Sequence, residues 1–132
     1  NTLGTALKNA AIAQGETDEK TLTKAENMPL RAPMIIACVT DFKSHDKVPH
    51  WEQIAASSCA VQNLLLALTA QGFATVWRTG PLANAPEVKR YFNVTADNQV
   101  IAFVYVGTAV STMPPRSKID VTPFIVYDNG TN

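Results

Sequence analysis

The chain has 132 residues, close to the size of one typical domain, so a single domain spanning residues 1–132 is expected. Its 11 Lys and Arg balance 11 Asp and Glu, which argues against the basic excess of a nucleic-acid or membrane-surface binder. With 46% hydrophobic and 17% charged residues it has the apolar surface for one real core, and two cysteines make no disulfide framework.

Residue 1 is Asn, and residues 1–10 lack the charged start and apolar centre of a signal peptide. Nothing else implies secretion, and a cytoplasmic protein is expected. The chain enters a helical pattern at once, which reads as a fragment whose upstream residues are missing.

Leu3, Leu7, Ala10, Ala11 and Gln14 recur at helical spacing, and Gly15 follows as a stop. Thr17 precedes Asp18 and Glu19, acids placed for a first turn, and a short polar helix to Asn27 is predicted. Pro29 and Pro33 fence off a linker. The apolar run Met34–Val39 reads as a strand buried on both faces, and residues 41–49 as a polar loop.

From Trp51 to Gln71 the pattern is helical again, closed by Gly72, with no charged residue between Glu52 and Arg78. Its longest apolar run is only Leu64–Leu68, against the roughly 20 residues of a membrane span. A helix of about 50–71 buried nearly all round is predicted, and a subunit interface is expected to complete its burial. Phe73–Trp77 reads as a second strand, and Asn84 or Pro86 as the start of a short helix to Phe92. Val100–Val106 is the strongest strand in the sequence. Residues 108–132 form a tail, irregular to Asp120 and then extended over Thr122–Tyr127 as an arm. The sum is a layered α+β domain.

Most chemistry-bearing residues admit plain readings. Cys38 and Cys59 sit in apolar segments as small hydrophobes. His45, His50 and Glu52 cluster near a loop without a third strong ligand or helical His spacing. Ser57 and Ser58 have no nucleophile elbow, and a hydrolase built on Ser58 or Cys59 would lack a general base. No glycine-rich phosphate cradle occurs. The sequons at Asn93 and Asn129 are short patterns with high chance occurrence. Trp77-Arg78-Thr79-Gly80-Pro81 stands apart: an indole, a guanidinium, a hydroxyl and a glycine leave the carboxyl end of a strand, where ligands of α/β proteins gather. An ordinary turn with Arg78 reaching to water is the competing reading.

The segments Lys47–Gln53, Cys59–Val61, Ala70–Phe73 and Val76–Gly80, with Arg31-Ala32-Pro33 before them and Tyr105–Thr108 and Thr122–Phe124 after, resemble the YdjA-type branch of the nitroreductase family. The resemblance implies an FMN-dependent homodimer with a central, mainly antiparallel sheet flanked by helices. The C-terminal arm would be exchanged between subunits. It implies that Trp77, Arg78, Thr79 and Gly80 lie against the flavin, with a backbone N–H near its N5, and that Ala67, Leu68, Thr69, Ala70, Gln71 and Gly72 meet the nicotinamide cofactor. The implied activity is ping-pong reduction of a nitroaromatic or quinone-like acceptor by NADH or NADPH. The family's N-terminal Arg-Arg-Ser helix and first strand have no counterpart here, so the chain corresponds to the C-terminal two-thirds of a member. The alternative is a dimeric remnant of that fold without flavin or catalysis. Arg116 and Lys118 are the basic residues of the tail that could touch a phosphate.

Overall fold

A computed structural model describes residues 2–111 and 114–127. The second sequon, at Asn129, lies outside the described residues, as do residues 112–113 and 128–132 of the tail. Among the described residues four helices and three strands follow in chain order: α1 Leu3–Ala13, α2 Glu19–Asn27, β1 Met34–Thr40, α3 His50–Ala70, β2 Ala74–Arg78, α4 Pro86–Tyr91 and β3 Gln99–Gly107. Short 3₁₀ turns occupy Met28–Arg31, Pro81–Asn84 and Thr122–Phe124.

Local chemistry sets the helix ends. Thr2 caps α1, its hydroxyl accepting from the Thr5 N–H at 3.2 Å. Asp18 is the cap of α2 rather than an acid inside its first turn, accepting from the Thr21 N–H at 2.9 Å. At the far end of α3 the chain turns out through Gly72 at φ +85°. There the Phe73 N–H donates to Leu68 O and the Gly72 N–H to Thr69 O, each at 3.0 Å. This glycine-terminated cap satisfies the last carbonyls and draws Phe73 out of the second strand. Strand β2 accordingly runs one residue later than predicted and takes in Arg78.

The sheet is wholly antiparallel in the order β1-β3-β2, with the strongest apolar run as its centre. Val100, Ala102 and Val104 are almost completely buried. The register slips between Cys38 and Val39, where Ile101 of β3 has no partner. That bulge turns Val100 and Phe103 to one face, and Ile101, Ala102, Val104 and Val106 to the other.

α1, α4 and the Pro81–Asn84 turn cover the first face through Leu3, Leu7, Ala10, Ala83, Ala85 and Val88, and α2 packs behind α1. α3 alone covers the second face through Ile54, Val61, Leu64, Leu65 and Leu68. The result is an α/β/α sandwich with unequal layers.

The predicted all-round burial of α3 is not met within one chain. Only Val61 is fully buried, and Trp51 is 67% exposed at the amino end. The outward face is built of small residues such as Ala55, Ala56, Cys59 and Ala60, so its apolar character comes from many methyl groups rather than from a packed stripe. By length and composition α3 could cross a membrane, but it serves here as a layer of the domain. The expected extended segment over Thr122–Tyr127 is instead a 3₁₀ turn followed by extended backbone at Ile125. Phe124, Val126 and Tyr127 lie exposed on it.

Candidate active site at the end of strand β2

β1 and β2 run the same way on either side of β3, so both finish at one end of the sheet. The ladder between β2 and β3 ends at the pair Arg78 and Phe103, and the chain leaves through Thr79 and Gly80. Gly80 has φ +150° and ψ 172°, a conformation that an L side chain rarely adopts. A Cβ there would have no heavy atom within 4 Å, so the backbone of this turn faces open space.

Past the end of β2, two side chains complete the edge of β3. Asn84 presents its amide to Val100, accepting from the N–H at 2.8 Å and donating to the carbonyl at 2.9 Å. The indole Nε1 of Trp77 donates to Ile101 O at 3.2 Å. A backbone edge that would otherwise lie buried and unpaired is thereby satisfied.

On the α1 side of this turn lies a cavity of about 170 Å³. Leu7, Met28, Leu82, Ala83 and Phe103 give it apolar walls, and Tyr105 lies two residues along β3 from Phe103. Arg31, Arg78, Thr79 and Gly80 also line it. Both guanidiniums are exposed. The ion pairs among the described residues are Lys8–Glu26, Lys43–Asp41 and Arg90–Glu87, which leaves Arg31 and Arg78 without a carboxylate partner.

Of the residues read as flavin-binding, Arg78, Thr79 and Gly80 therefore share one cavity. Trp77 does not line it: strand alternation turns its ring to the α3 face, among Val61, Ile101 and Val104. Arg31 was missed because in the sequence it sits in a linker between two prolines. Only the fold carries it to the cavity, by way of the 3₁₀ turn Met28–Arg31.

The segment Ala67–Gly72, read as the nicotinamide contact, closes α3 at the opposite end of β2, about 17 Å away for five strand residues. Its polar groups are spent on the helix: Thr69 Oγ1 donates to Leu65 O at 2.9 Å, and Gln71 Nε2 to Ala67 O at 3.2 Å. One chain does not bring the two residue sets together.

The loop after β1 is more tightly built than its polar composition suggests. Gln53 accepts from the Lys43 N–H and donates to Lys43 O, both at 2.9 Å. Asn98 accepts from the Phe42 N–H at 2.8 Å and donates to Asp41 at 2.7 Å. The Lys43 ammonium and Asn98 hold the Asp41 carboxyl below the usual carboxylate range. His50 stacks on Phe42 with ring centroids 4.3 Å apart, and His45 accepts from the Lys47 N–H, so neither imidazole faces the other as a ligand. Burial raises the Cys38 thiol above its ordinary pKa and keeps it a poor nucleophile. Arg116 and Lys118 are exposed on the tail.

An antiparallel sheet between unequal helical layers, with a glycine turn beside a cavity at a strand end, matches the fold of nitroreductase-like structures. The family model described as "Nitroreductase family" matches residues 3–108, and the chain belongs to that family. It is 38% identical over 122 residues to the Escherichia coli K12 protein named "Putative NAD(P)H nitroreductase YdjA". It is 38% identical over 129 residues to a Haemophilus influenzae protein named "Putative NAD(P)H nitroreductase". The matches take in 92% and 96% of this chain, but the chain spans 66% of the Escherichia coli protein and 70% of the Haemophilus one. Among solved structures, a nitroreductase-like family protein from Bacillus cereus aligns over 97% of this chain with a TM-score of 0.75 at 18% identity. A Bacteroides fragilis nitroreductase with bound FMN aligns over 96% with a TM-score of 0.62 at 20% identity. The two solved structures match this chain in fold.

Proposed function

We propose that this chain is the C-terminal two-thirds of an FMN-dependent NAD(P)H oxidoreductase, working as a homodimer with the Arg78–Gly80 turn against the flavin ring. The observation that carries the reading is the cavity itself: apolar walls, two arginines without a carboxylate partner among the described residues and an open glycine turn at a strand end. Those donors suit the carbonyl-bearing edge of a flat heterocycle. A volume of about 170 Å³ is below the roughly 300 Å³ at which small-molecule sites begin, so one copy of these residues supplies only part of the site. The exposed small-residue face of α3 and the exposed Phe124–Tyr127 segment are the surfaces on which a second copy would complete it. They would also bring one copy's Ala67–Gly72 nearer the other's cavity.

Bound flavin would supply two-electron chemistry, taking a hydride from NADH or NADPH and, once that donor has left, passing it to a nitroaromatic or quinone-like acceptor. The chain's own contribution is electrostatic and steric. Arg78 offers fixed positive charge where negative charge develops, and its strength grows as water is excluded. Thr79 and Gly80 bring backbone within reach of the ring because Gly80 carries no side chain. Phe103, Leu7 and Met28 exclude water from one side.

Arg78→Ala should weaken FMN retention about tenfold or more, read by quenching of flavin fluorescence, while the melting temperature shifts by no more than a degree or two. Equal losses of flavin and stability would contradict it. Sedimentation at micromolar concentration should show a dimer, because a monomer would leave an apolar patch of several hundred Å² in water; a monomer would contradict the assembly. The small cavity favours one other reading, a dimeric fold without redox chemistry. Purified protein that stays colourless in excess FMN would establish it.

A further inference from the structure

The geometry points to Arg31 as a second binding residue: with Arg78 it forms a clamp for a planar organic anion. The two arginines come from separate elements, one from the turn after α2 and one from the end of β2, and both residues line the same cavity. Two like charges at one cavity repel one another, and no carboxylate among the described residues pairs with either. An anion between the pair removes the repulsion and gains charge-assisted hydrogen bonds.

The walls restrict which anion. Leu7, Met28, Leu82 and Phe103 offer apolar surface and little to a small hydrated ion. A volume of about 170 Å³ suits a single ring carrying its charge at one edge, an aromatic carboxylate or the electron-rich edge of a larger conjugated system. The guanidinium fork matches such an edge in two parallel bonds, which an ammonium cannot reproduce. The clamp rests on the proposed function only for the identity of the larger system, the flavin ring. Its own chemistry is tested without flavin.

Benzoate, benzyl alcohol and inorganic phosphate are titrated separately into the full chain, and the arginine Nε–H and backbone amide resonances are followed by NMR. Benzoate should move the signals of Arg31, Arg78 and Gly80 and bind at least tenfold more tightly than either other probe. Arg31→Met and Arg78→Met should each weaken benzoate about tenfold, and Arg31→Lys should recover only part of the loss. Benzoate and benzyl alcohol binding alike would overturn the clamp, as would phosphate matching benzoate or an unchanged Arg31→Met. The same variants are then loaded with FMN. If FMN does not bind while benzoate follows this pattern, the flavin reading fails and the clamp stands.

Discussion

Asn84→Ala should cost about 3 kcal/mol of folding free energy, lowering the melting temperature by about 10 °C for a chain of this size. The Asn84 amide pairs both the N–H and the carbonyl of Val100, and Val100 is 1% exposed. Truncation leaves both backbone groups buried and unpaired, at about 1–3 kcal/mol each. Asn84→Asp separates hydrogen bonding from packing. An ionised carboxylate still accepts from the N–H but faces the Val100 carbonyl with a second oxygen, and the repulsion raises its folded-state pKa above the ordinary carboxylate value. A group raised in this way adds stability as pH falls through the folded value, since the protonated acid again presents one donor and one acceptor. Urea melts of Asn84→Asp should therefore approach wild type on acidification, whereas Asn84→Ala should not. A loss below 1 kcal/mol for Asn84→Ala would contradict this role.

Gly4→Ala should destabilise the fold by about 3 kcal/mol, against the roughly 1 kcal/mol gain that helix propensity alone predicts. A Cβ at Gly4 would lie 2.2 Å from the backbone carbonyl oxygen of Glu26, far inside contact distance. Because the obstacle is backbone, α2 must move away from α1, which disturbs the buried contacts of Leu22 and Ala25 and the Lys8–Glu26 ion pair at 2.9 Å. Denaturant unfolding with an unchanged m-value measures the loss. A variant as stable as wild type would show that the two helices are free to separate.

The layered α+β class and most element positions were legible in the sequence because apolar periodicity and end signals agree along this chain. Val100–Val106 reads as the strongest strand and Gly72 as the stop of a helix, and both hold. The Pro81–Asn84 turn was not legible, since Asn84 resembles a helix cap while its side chain serves an edge of β3 distant in sequence. Neither was the exposure of α3, because small apolar residues read alike whether covered by the same chain or by another. At the site, the Arg78–Gly80 turn was visible as a polar run leaving a strand. Trp77 beside it faces the α3 side of the sheet, because neighbouring strand residues point to opposite faces. Arg31 carries no local signal, and it joins Arg78 only because the turn after α2 packs with α1 onto β3.

The claim on which the functional account turns is the location of the ring site. Titration of FMN into isotope-labelled protein, followed by amide NMR, tests it directly. The account predicts the largest shifts at Thr79, Gly80, Phe103 and Tyr105, lost together in Arg78→Ala. Saturable binding whose shifts fall elsewhere, with Arg78–Gly80 undisturbed, would contradict it.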